Sequence, residues 1–517
     1  MADLYDSVPY PGSAFQDTHP DRLGTLAFLH GMNPAPTEQC RVLELGAGNG
    51  GNLIPHAWLH PESTFLGLDR AGTAVAVGNA MIDALGLRNV RLETVDLLDV
   101  STPLGEFDYI IAHGVFSWVP DAVRRAILRI CQQNLAPDGV AFISYLALPG
   151  THLRNVFRDA MLFHVRGRVE AADRVRQARA IVQLIADMPG DDPYRDFARS
   201  LLSELNRAED SVLFHDYLAD INAPLYFMQF VELAAQYGLQ FLSEAEYPAM
   251  FFDLEKADEN VKAAIEQLQS NPILREQYFD FLRCRRFRQT LLVRSTAEVV
   301  RPVRLERLLS LHVASALESP AEHAPGVDGI EQFTRKQTGY VQTDHAVGKA
   351  ALRRLAGIWP ATLPVRELLD DARAATNSQD PLEKDTDALL EILHRCYQLG
   401  HVEFWRSPTR LAPGAGERPV LSPVARYQLR RGRSVSTLKH LTMEVQEPLS
   451  AALMRLLDGT RDRAALVTAL AKEVVSERLP LEPGGPAITD EAEARAQVAS
   501  RLEEHLRQIA RAGLLVD

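Results

Sequence analysis

The feature that most constrains the fold is a short apolar run that enters a glycine-rich turn. The run covers residues 41–45, the glycine-rich turn covers 46–51, and a helical stretch begins near Asn52. Glycines at this spacing let the backbone adopt positive φ angles and approach a ligand closely where a helix begins. The pattern therefore predicts a strand, a ligand-binding loop and a helix of an α/β fold.

Further strand and helix patterns alternate after this turn. The predicted strands are 64–69, 90–96, 107–113 and 139–145, and the helices between them include 72–85 and 122–135. Alternation at this spacing is typical of a parallel sheet with helices on both faces. Ligands of such sheets bind at the carboxyl ends of the strands, so the residues that follow each strand are the candidate site.

Two more strand patterns appear only after a long excursion of the chain. The stretch 151–222 is polar and helical in pattern, a helix is predicted over 227–237, and strands are predicted at 239–243 and 288–294. We expect these strands to complete the same sheet, which gives a Rossmann-like α/β fold with a helical insertion. The insertion is expected to lie over the ligand edge as a lid or substrate platform.

The glycine-rich turn by itself fits two classes of cofactor. Gly46, Gly48 and Gly51 match the GxGxxG of dinucleotide-binding proteins, whereas Gly46, Gly48 and Gly50 match the GxGxG of methyl-donor enzymes. The glycines alone do not separate these classes.

Acidic residues in the first three predicted strands favour the methyl donor. Asp69 is placed to accept the hydroxyls of an adenosine ribose, and Asp96 to accept from the adenine amino group. Glu44 precedes the first glycine by two residues, where it can bind an ammonium but would repel a pyrophosphate. Three acids suit the cationic S-adenosylmethionine better than NAD, and an NAD-dependent oxidoreductase is the weaker alternative. The predicted cofactor-binding residues are Tyr10, His19, Glu44, Gly46, Ala47, Gly48, Asn49, Gly50, Asn52, Asp69, Arg70, Asp96, Leu97 and His113.

Three residues near strand ends are the candidate catalytic groups. His113 ends the fourth predicted strand, Trp118 lies in the loop after it, and Tyr145 ends the fifth. His113 can contact cofactor or acceptor, Trp118 can wall an acceptor channel through a cation–π contact, and Tyr145 can supply an acceptor-side hydroxyl. The four cysteines lie far apart with no CxxC pair, and no metal ligands are predicted.

Composition narrows the class of protein. The 517 residues are 46% hydrophobic, which supports about three folded domains, and a net charge of −13 argues against nucleic acid as the main partner. No stretch has the length and apolarity of a membrane span, and residues 1–5 lack the pattern of a secretory signal. We therefore expect a cytoplasmic protein.

The C-terminal half contains two copies of one pattern. The segments 298–405 and 425–517 each read helix, turn, helix, helix, strand, which is a winged-helix-like order, and the Pro-rich segment 406–424 is predicted to link them. The presumed recognition helices begin with acidic residues, whereas DNA binding needs several Lys or Arg contacts to phosphate. Binding of a protein, or formation of a homodimer through these modules, is the favoured role.

Several motifs together resemble one family. They are the N-terminal runs 5–11 and 18–23, the glycine-rich turn, and the segments 112–120 and 278–283. With these motifs the chain resembles the class I methyltransferases that carry a methyltransferase regulatory domain, typified by rickettsial protein-lysine methyltransferases that act on outer-membrane proteins. The resemblance covers 1–297 most closely.

The resemblance implies a methyltransferase that uses S-adenosylmethionine, yields S-adenosylhomocysteine, and methylates a lysine amine of a protein or peptide. Residues 145–151 depart from the run that the family often shows after the fifth strand. A small metabolite or a peptide natural product is therefore an alternative acceptor, and a non-catalytic sensor of the cofactor is an alternative function. The expected organisation is a cofactor-binding core (1–150), an insertion (151–222), the sheet completion (223–297) and the two C-terminal modules.

Overall fold

The computed structural model describes residues 8, 10–252, 254, 257–319, 329–335, 339–409, 411–412, 414–476, 479, 481 and 488–516. Its largest element is a seven-stranded sheet. The strands are β1 (Arg41–Leu45), β2 (Thr64–Asp69), β3 (Val90–Thr94), β4 (Phe107–Ala112), β5 (Leu135–Leu146), β6 (Leu239–Glu244) and β7 (Phe287–Arg294). They lie in the order β3-β2-β1-β4-β5-β7-β6, and β7 runs antiparallel to both of its neighbours. This confirms the predicted Rossmann-like sheet and its completion by two late strands.

Helices cover both faces of the sheet because its central strands are apolar on both sides. The helices of this part are α1 (Pro20–Leu29), α2 (Ile54–Leu59), α3 (Gly72–Leu85) and α4 (Asp121–Asn134). Val42 and Phe142 belong to the core on one face, and Leu43 and Ile143 to the core on the other. Neighbouring residues of a strand point to opposite faces. An apolar strand can therefore contribute to two cores only if helices cover both faces of the sheet.

The predicted insertion consists of four helices with a core of their own. They are α5 (Gly150–His164), α6 (Ala171–Asp187), α7 (Pro193–Arg207) and α8 (Asp210–Tyr217). Phe157, Met161 and Phe214 are buried in this separate core. A Cβ on Gly150 would lie 2.2 Å from the carbonyl oxygen of Cys284, so the chain enters the insertion directly against the segment before β7.

A buried ion cluster fixes the end of the sheet to the helices that precede it. These helices are α9 (Phe227–Ala235), α10 (Glu259–Gln267) and α11 (Pro272–Arg283). Arg288 of β7 is 1% exposed and donates hydrogen bonds to the carboxylates of Asp280, Glu244 and Glu276. Its guanidinium also lies 4.0 Å from the ring centre of Phe227. Buried charge of this kind is tolerated only when it is paired, so this arginine is structural.

The middle module, 298–405, shares a hydrophobic core with the sheet. Its elements are β8 (His312–Ala314), β9 (Glu331–Arg335), β10 (Gly339–Thr343), α12 (Ala346–Ile358), β11 (Leu363–Pro364), α13 (Val365–Thr376), α14 (Leu382–Gln398) and β12 (Glu403–Trp405). Leu308, Val313 and Phe404 belong to the same cluster as Val42 of β1. The module is therefore packed onto the sheet.

The C-terminal module has a separate core and the predicted helix order. Its elements are β13 (Val420–Leu421), α15 (Pro423–Leu429), β14 (Ser434–Ser436), β15 (Thr442–Glu444), α16 (Pro448–Leu456), α17 (Arg463–Ser476), α18 (Glu491–Arg511) and β16 (Leu515–Val516). The helices α16, α17 and α18 followed by β16 match the predicted helix, helix, helix, strand. Leu453, Leu470 and Leu506 are among the residues of its core.

Both ends of the segment predicted as a linker, 406–424, contact the domains on either side. The backbone N–H of Arg406 donates to Asp21 Oδ1 at 2.7 Å, and Val420 pairs with Val516 in the sheet of the C-terminal module. Most of the N-terminal motif 5–11 lies outside the described residues. Within the described part of the chain, no helix is long and apolar enough to cross a membrane.

Candidate functional site

The glycine-rich turn has the backbone that the sequence predicts. Gly46, Gly48 and Gly50 have φ angles of +81°, +54° and +71°, which other residues adopt only with strain. A Cβ on Gly46 would lie 2.2 Å from Cγ2 of Val115, whereas a Cβ on Gly48 would meet nothing within 4 Å. Gly46 is therefore required for packing, while Gly48 borders open space that a ligand can occupy.

Asp69, at the end of β2, holds the turn through its carboxylate. Oδ2 accepts from the backbone N–H of Gly48 at 2.7 Å, and Oδ1 accepts from Ala71 N–H at 2.7 Å. A carboxylate oxygen can accept more than one hydrogen bond. Asp69 can thus shape the turn and still accept from the hydroxyls of a ribose.

Glu44 of β1 is a buried carboxyl with one oxygen left over. Oε1 accepts from Nδ2 of Asn52 at 2.9 Å, whereas Oε2 has no hydrogen-bond partner among the described residues. Burial raises the pKa of Glu44 to about 8, the charge of Asp69 acts in the same direction, and the bond from Asn52 opposes both. A buried acceptor without a partner is costly, so Oε2 is the atom that a cationic ligand would satisfy.

The remaining cofactor candidates lie around the turn and the next strand ends. Nε of Arg70 lies 3.8 Å from Oδ2 of Asp96, which joins the ends of β2 and β3. Ala47 and Leu97 are buried, and Asn49 accepts from Gly51 N–H at 3.1 Å through Oδ1. The structure therefore brings these residues to the edge where the sequence predicted them.

His113 lies immediately after β4 and is held by Ser144 of β5. Nδ1 of His113 lies 3.0 Å from Oγ of Ser144, and the same oxygen accepts from Gly114 N–H at 2.8 Å. The ring of Phe15 packs edge-on against His113 with centroids 4.1 Å apart. Burial lowers the pKa of His113 to about 4, so the imidazole is neutral at physiological pH.

The structure separates the other two catalytic candidates. Trp118 has a buried indole Nε1 that finds no hydrogen-bond acceptor among the described residues, which leaves its N–H for a ligand. Tyr145 instead is fully buried in the core, stacks on Phe230 with centroids 4.1 Å apart, and accepts from Thr290 Oγ1 at 3.3 Å. The prediction of an acceptor-side hydroxyl at Tyr145 is corrected: the side chain points to the sheet face that α9 covers.

The N-terminal arm crosses the glycine-rich turn. A Cβ on Gly51 would lie 2.6 Å from the backbone carbon of Gly12, so arm and turn are in direct contact. Tyr10 is 45% exposed, and its ring lies 5.7 Å from that of His215 in the insertion. The arm therefore covers the turn and extends to the insertion.

His19 is buried among other imidazoles. Its ring centre lies 4.5 Å from that of His56 and 5.8 Å from that of His440, and ligand atoms of His19, His56 and His60 all lie within 4.8 Å of one another. Burial places the pKa of His19 well below its usual value. Nδ1 of His19 accepts from Asp21 N–H at 3.1 Å, so Nε2 carries the proton and a metal ion would have to displace that bond. The sequence predicted no metal ligands and gave no sign of this cluster.

Sequence reasoning missed several residues that shape the site. Ser144 orients His113, Phe15 packs on it, and Thr18, next to His19, donates from Oγ1 to Asn52 Oδ1 at 3.0 Å. A serine within the apolar run of β5 was a usable signal because such a strand rarely carries a polar side chain without a partner. The contact of His440 with Asn52 joins residues 388 positions apart and has no local signal.

These features together fit a cofactor with a cationic amino-acid part and an adenosine part. A turn with room beside Gly48, an acid after β2 and an unpartnered carboxylate oxygen on Glu44 lie at one edge of the sheet. S-adenosylmethionine has the positive charge and the hydroxyl groups that these carboxylates would bind. A pyrophosphate beside Glu44 would meet an acid in place of hydrogen-bond donors.

Comparison with known families shows that the chain carries the domains of a methyltransferase. A methyltransferase domain matches 42–139, a predicted methyltransferase regulatory domain matches 209–294, and a PKMT C-terminal winged-helix domain matches 417–514. An uncharacterized protein of Rickettsia prowazekii (strain Madrid E) is 30% identical over 524 residues, which cover 99% of this chain and 93% of that protein. A second protein of the same organism is 38% identical over 232 residues, which cover 44% of this chain and 93% of that protein.

Solved structures extend the similarity over the whole fold. PKMT2 from Rickettsia typhi is 26% identical, with a TM-score of 0.87 over 98% of this chain and 100% of that chain. The same protein in complex with AdoHcy gives a TM-score of 0.88. The chain is therefore an S-adenosylmethionine-dependent methyltransferase and belongs to the class I family that carries a methyltransferase regulatory domain and a PKMT winged-helix domain.

Proposed function

We propose that this methyltransferase acts on lysine side-chain amines of a protein substrate. The observation that carries the proposal is the similarity to PKMT2 from Rickettsia typhi, which extends over 98% of the chain. PKMT denotes a protein lysine methyltransferase, and the match includes the PKMT winged-helix domain over 417–514. Similarity that continues through the accessory domains supports a shared class of acceptor better than similarity of the cofactor core alone.

On the donor side, we assign the ammonium of the cofactor to Glu44 and its ribose to Asp69. Asp96 is assigned to the adenine amino group, next to Arg70. The unpartnered Oε2 of Glu44 supports the first assignment, and the position of Asp69 beside Gly48 supports the second. When bound, S-adenosylmethionine supplies an electrophilic methyl group on a sulfonium.

On the acceptor side, the chain must deliver a neutral amine. The reference pKa of lysine is about 10.4, and removal from water lowers it. His113 and Phe15 are packed together beside the site, and the indole N–H of Trp118 has no acceptor among the described residues. The neutral His113 adds no charge there. We propose that Trp118 and His113 orient the lysine, while the arm at Phe15 excludes water.

Exposed apolar side chains on the insertion support a macromolecular acceptor. Leu153, Val156 and Phe163 are 49%, 49% and 67% exposed on α5, and their spacing places them on one helix face. Apolar side chains grouped on a surface are characteristic of contacts with other proteins. A homodimer, which the sequence predicted through the C-terminal modules, also stays a prediction.

The test is transfer of tritium from labelled S-adenosylmethionine in a bacterial lysate, with Asp69→Ala as the inactive control. We expect label in the protein fraction and methyl-lysine after hydrolysis. Acetylation of the lysate's lysines beforehand should abolish incorporation. Label only in low-mass compounds would establish a metabolite or peptide acceptor, and donor binding without transfer to any fraction would establish a sensor. Either result refutes the proposal.

A further inference from the structure

A hairpin of the C-terminal module reaches the cofactor-binding core. It is formed by β14 and β15, and its turn contains His440, which is 3% exposed. The backbone of His440 has a φ of +59°, and the turn is closed by His440 N–H donating to the Thr437 carbonyl at 3.0 Å. A left-handed backbone at a residue other than glycine is strained and persists where the surroundings hold it.

His440 holds the side-chain amide of Asn52. Nε2 of His440 lies 2.8 Å from Oδ1 of Asn52. Burial lowers the pKa of His440 to about 3, so the ring is neutral, and since the amide oxygen only accepts, Nε2 must donate. The same oxygen accepts from Phe15 N–H at 3.1 Å and from Thr18 Oγ1 at 3.0 Å.

The backbone N–H of Phe15 determines where the other half of the amide points. If the Asn52 amide flipped, its NH2 group would face this N–H, which can only donate. In the orientation observed, Nδ2 donates to Oε1 of Glu44 at 2.9 Å. That bond leaves Oε2 of Glu44 as the oxygen for which the described residues supply no partner.

We propose that His440 is a positioning residue for the amino-acid end of the methyl donor, so that the C-terminal module completes the donor site. His440 fixes Asn52, and Asn52 fixes the Glu44 carboxylate toward the ammonium. This inference rests on the assignment of Glu44 made above. It gives the winged-helix module a part in donor binding, separate from any contact with the acceptor.

The same hairpin is anchored on two further sides. Oγ1 of Thr442 accepts from Ala14 N–H of the arm at 2.7 Å. Nζ of Lys439 lies 3.3 Å from the ring centre of Trp359 in the middle module, a cation–π contact. These contacts anchor the hairpin that carries His440 on the arm and on the middle module.

The experiment compares two ligands that differ in the amino-acid part. S-adenosylhomocysteine contains it and 5′-methylthioadenosine lacks it, and both are titrated calorimetrically into the full chain. In His440→Asn, the new side chain tolerates the left-handed backbone but is too short to reach Asn52. We expect affinity for S-adenosylhomocysteine to fall about fivefold to tenfold, with affinity for methylthioadenosine changed less than about twofold.

Two further variants separate positioning from general destabilisation. In His440→Gln, the new side-chain amide can again donate a hydrogen bond to Asn52. This variant should recover most of the lost affinity for S-adenosylhomocysteine. His505→Asn removes another buried histidine of the same module, which lies 3.0 Å from Ser450 Oγ and 3.4 Å from Glu447, and should lower the thermal midpoint without changing either affinity.

Equal losses for both ligands in His440→Asn, or no loss for either, would overturn the proposal. The variant Glu44→Gln distinguishes the role of His440 from the assignment of Glu44. If Glu44→Gln loses S-adenosylhomocysteine selectively while His440→Asn does not, only the role of His440 fails. If Glu44→Gln shows no selectivity, the assignment of Glu44 and the role of His440 both fail. Lysine methylation is measured by label transfer and stands or falls separately.

Discussion

Donor binding should become tighter as the pH rises from 6 to 8, because Glu44 must lose its proton. Burial raises the pKa of Glu44 to about 8, so the carboxyl of the free enzyme is mostly protonated at neutral pH. Pairing with the ligand's ammonium favours the ionised form. Binding at neutral pH therefore releases a proton from Glu44. The affinity is higher at a pH at which Glu44 has already lost this proton.

The size of the effect follows from this pKa. A carboxyl with a pKa of about 8 is ionised to about 1% at pH 6 and about 50% at pH 8. If only the ionised form binds, affinity increases about fiftyfold over this range, which corresponds to about 2.3 kcal/mol. Near pH 7, each ligand bound should release about 0.9 proton.

Calorimetry with S-adenosylhomocysteine, in buffers of different ionisation enthalpy, measures both the affinity and the released proton. The buried histidines do not interfere, because burial lowers the pKa of His113 to about 4 and that of His440 to about 3. In Glu44→Gln, the pH dependence of the affinity and the release of a proton should both disappear. Binding of 5′-methylthioadenosine to the wild type should show no pH dependence and no proton release. A flat profile for the wild type, or the same slope in Glu44→Gln, would refute the reasoning.

Three further outcomes are expected. The folded state raises the pKa of Glu44 from 4.5 to about 8, so ionisation of Glu44 lowers the stability of the fold as the pH rises through that interval. Glu44→Gln should therefore raise the thermal midpoint more at pH 8 than at pH 5. An equal shift at both pH values would contradict this. Asp69→Ala should weaken the binding of S-adenosylhomocysteine and of 5′-methylthioadenosine alike, by at least about tenfold. The substitution removes the acceptor that holds Gly48 N–H as well as the proposed ribose contact. A loss confined to S-adenosylhomocysteine would exclude the ribose assignment. Tyr145→Phe should leave kcat within about twofold, since its hydroxyl is buried beside Thr290, and a larger loss would reinstate the catalytic role.

The sheet was predictable because each of its strands carries a local signal. Apolar runs bounded by glycine or acid marked the strands, and the structure places β1 and β2 at the predicted residues. β5 begins at Leu135, four residues before the prediction, because Pro137 to Gly139 have the composition of a turn although Leu135 pairs with Phe107 of β4. Tertiary pairing overrides turn composition there.

The site was predictable to the level of strand ends and no further. Ser144 and Tyr145 are adjacent in β5, and alternation sends one toward His113 and the other into the core beneath α9. Sequence position alone does not say which of two neighbours faces the ligand. His440 was beyond prediction for a different reason, because its contact depends on how two domains pack.

Several energetically unfavourable features lie among the residues to which we assign the methyl donor and the acceptor. In the part of the chain that the structure describes, the buried carboxyl of Glu44 has an oxygen without a partner, the buried N–H of Trp118 has no acceptor, and His440 has a left-handed backbone. Each unsatisfied group costs about 1–3 kcal/mol and the strained residue a comparable amount. Folding alone gives no reason to retain them, because a phenylalanine in place of Trp118 and a glycine in place of His440 would remove those two costs, and an uncharged residue in place of Glu44 would remove the cost of a buried ionisable group. In our proposal the methyl donor pairs with Glu44 and the acceptor pairs with Trp118, and the need to hold Glu44 in place accounts for the backbone of His440.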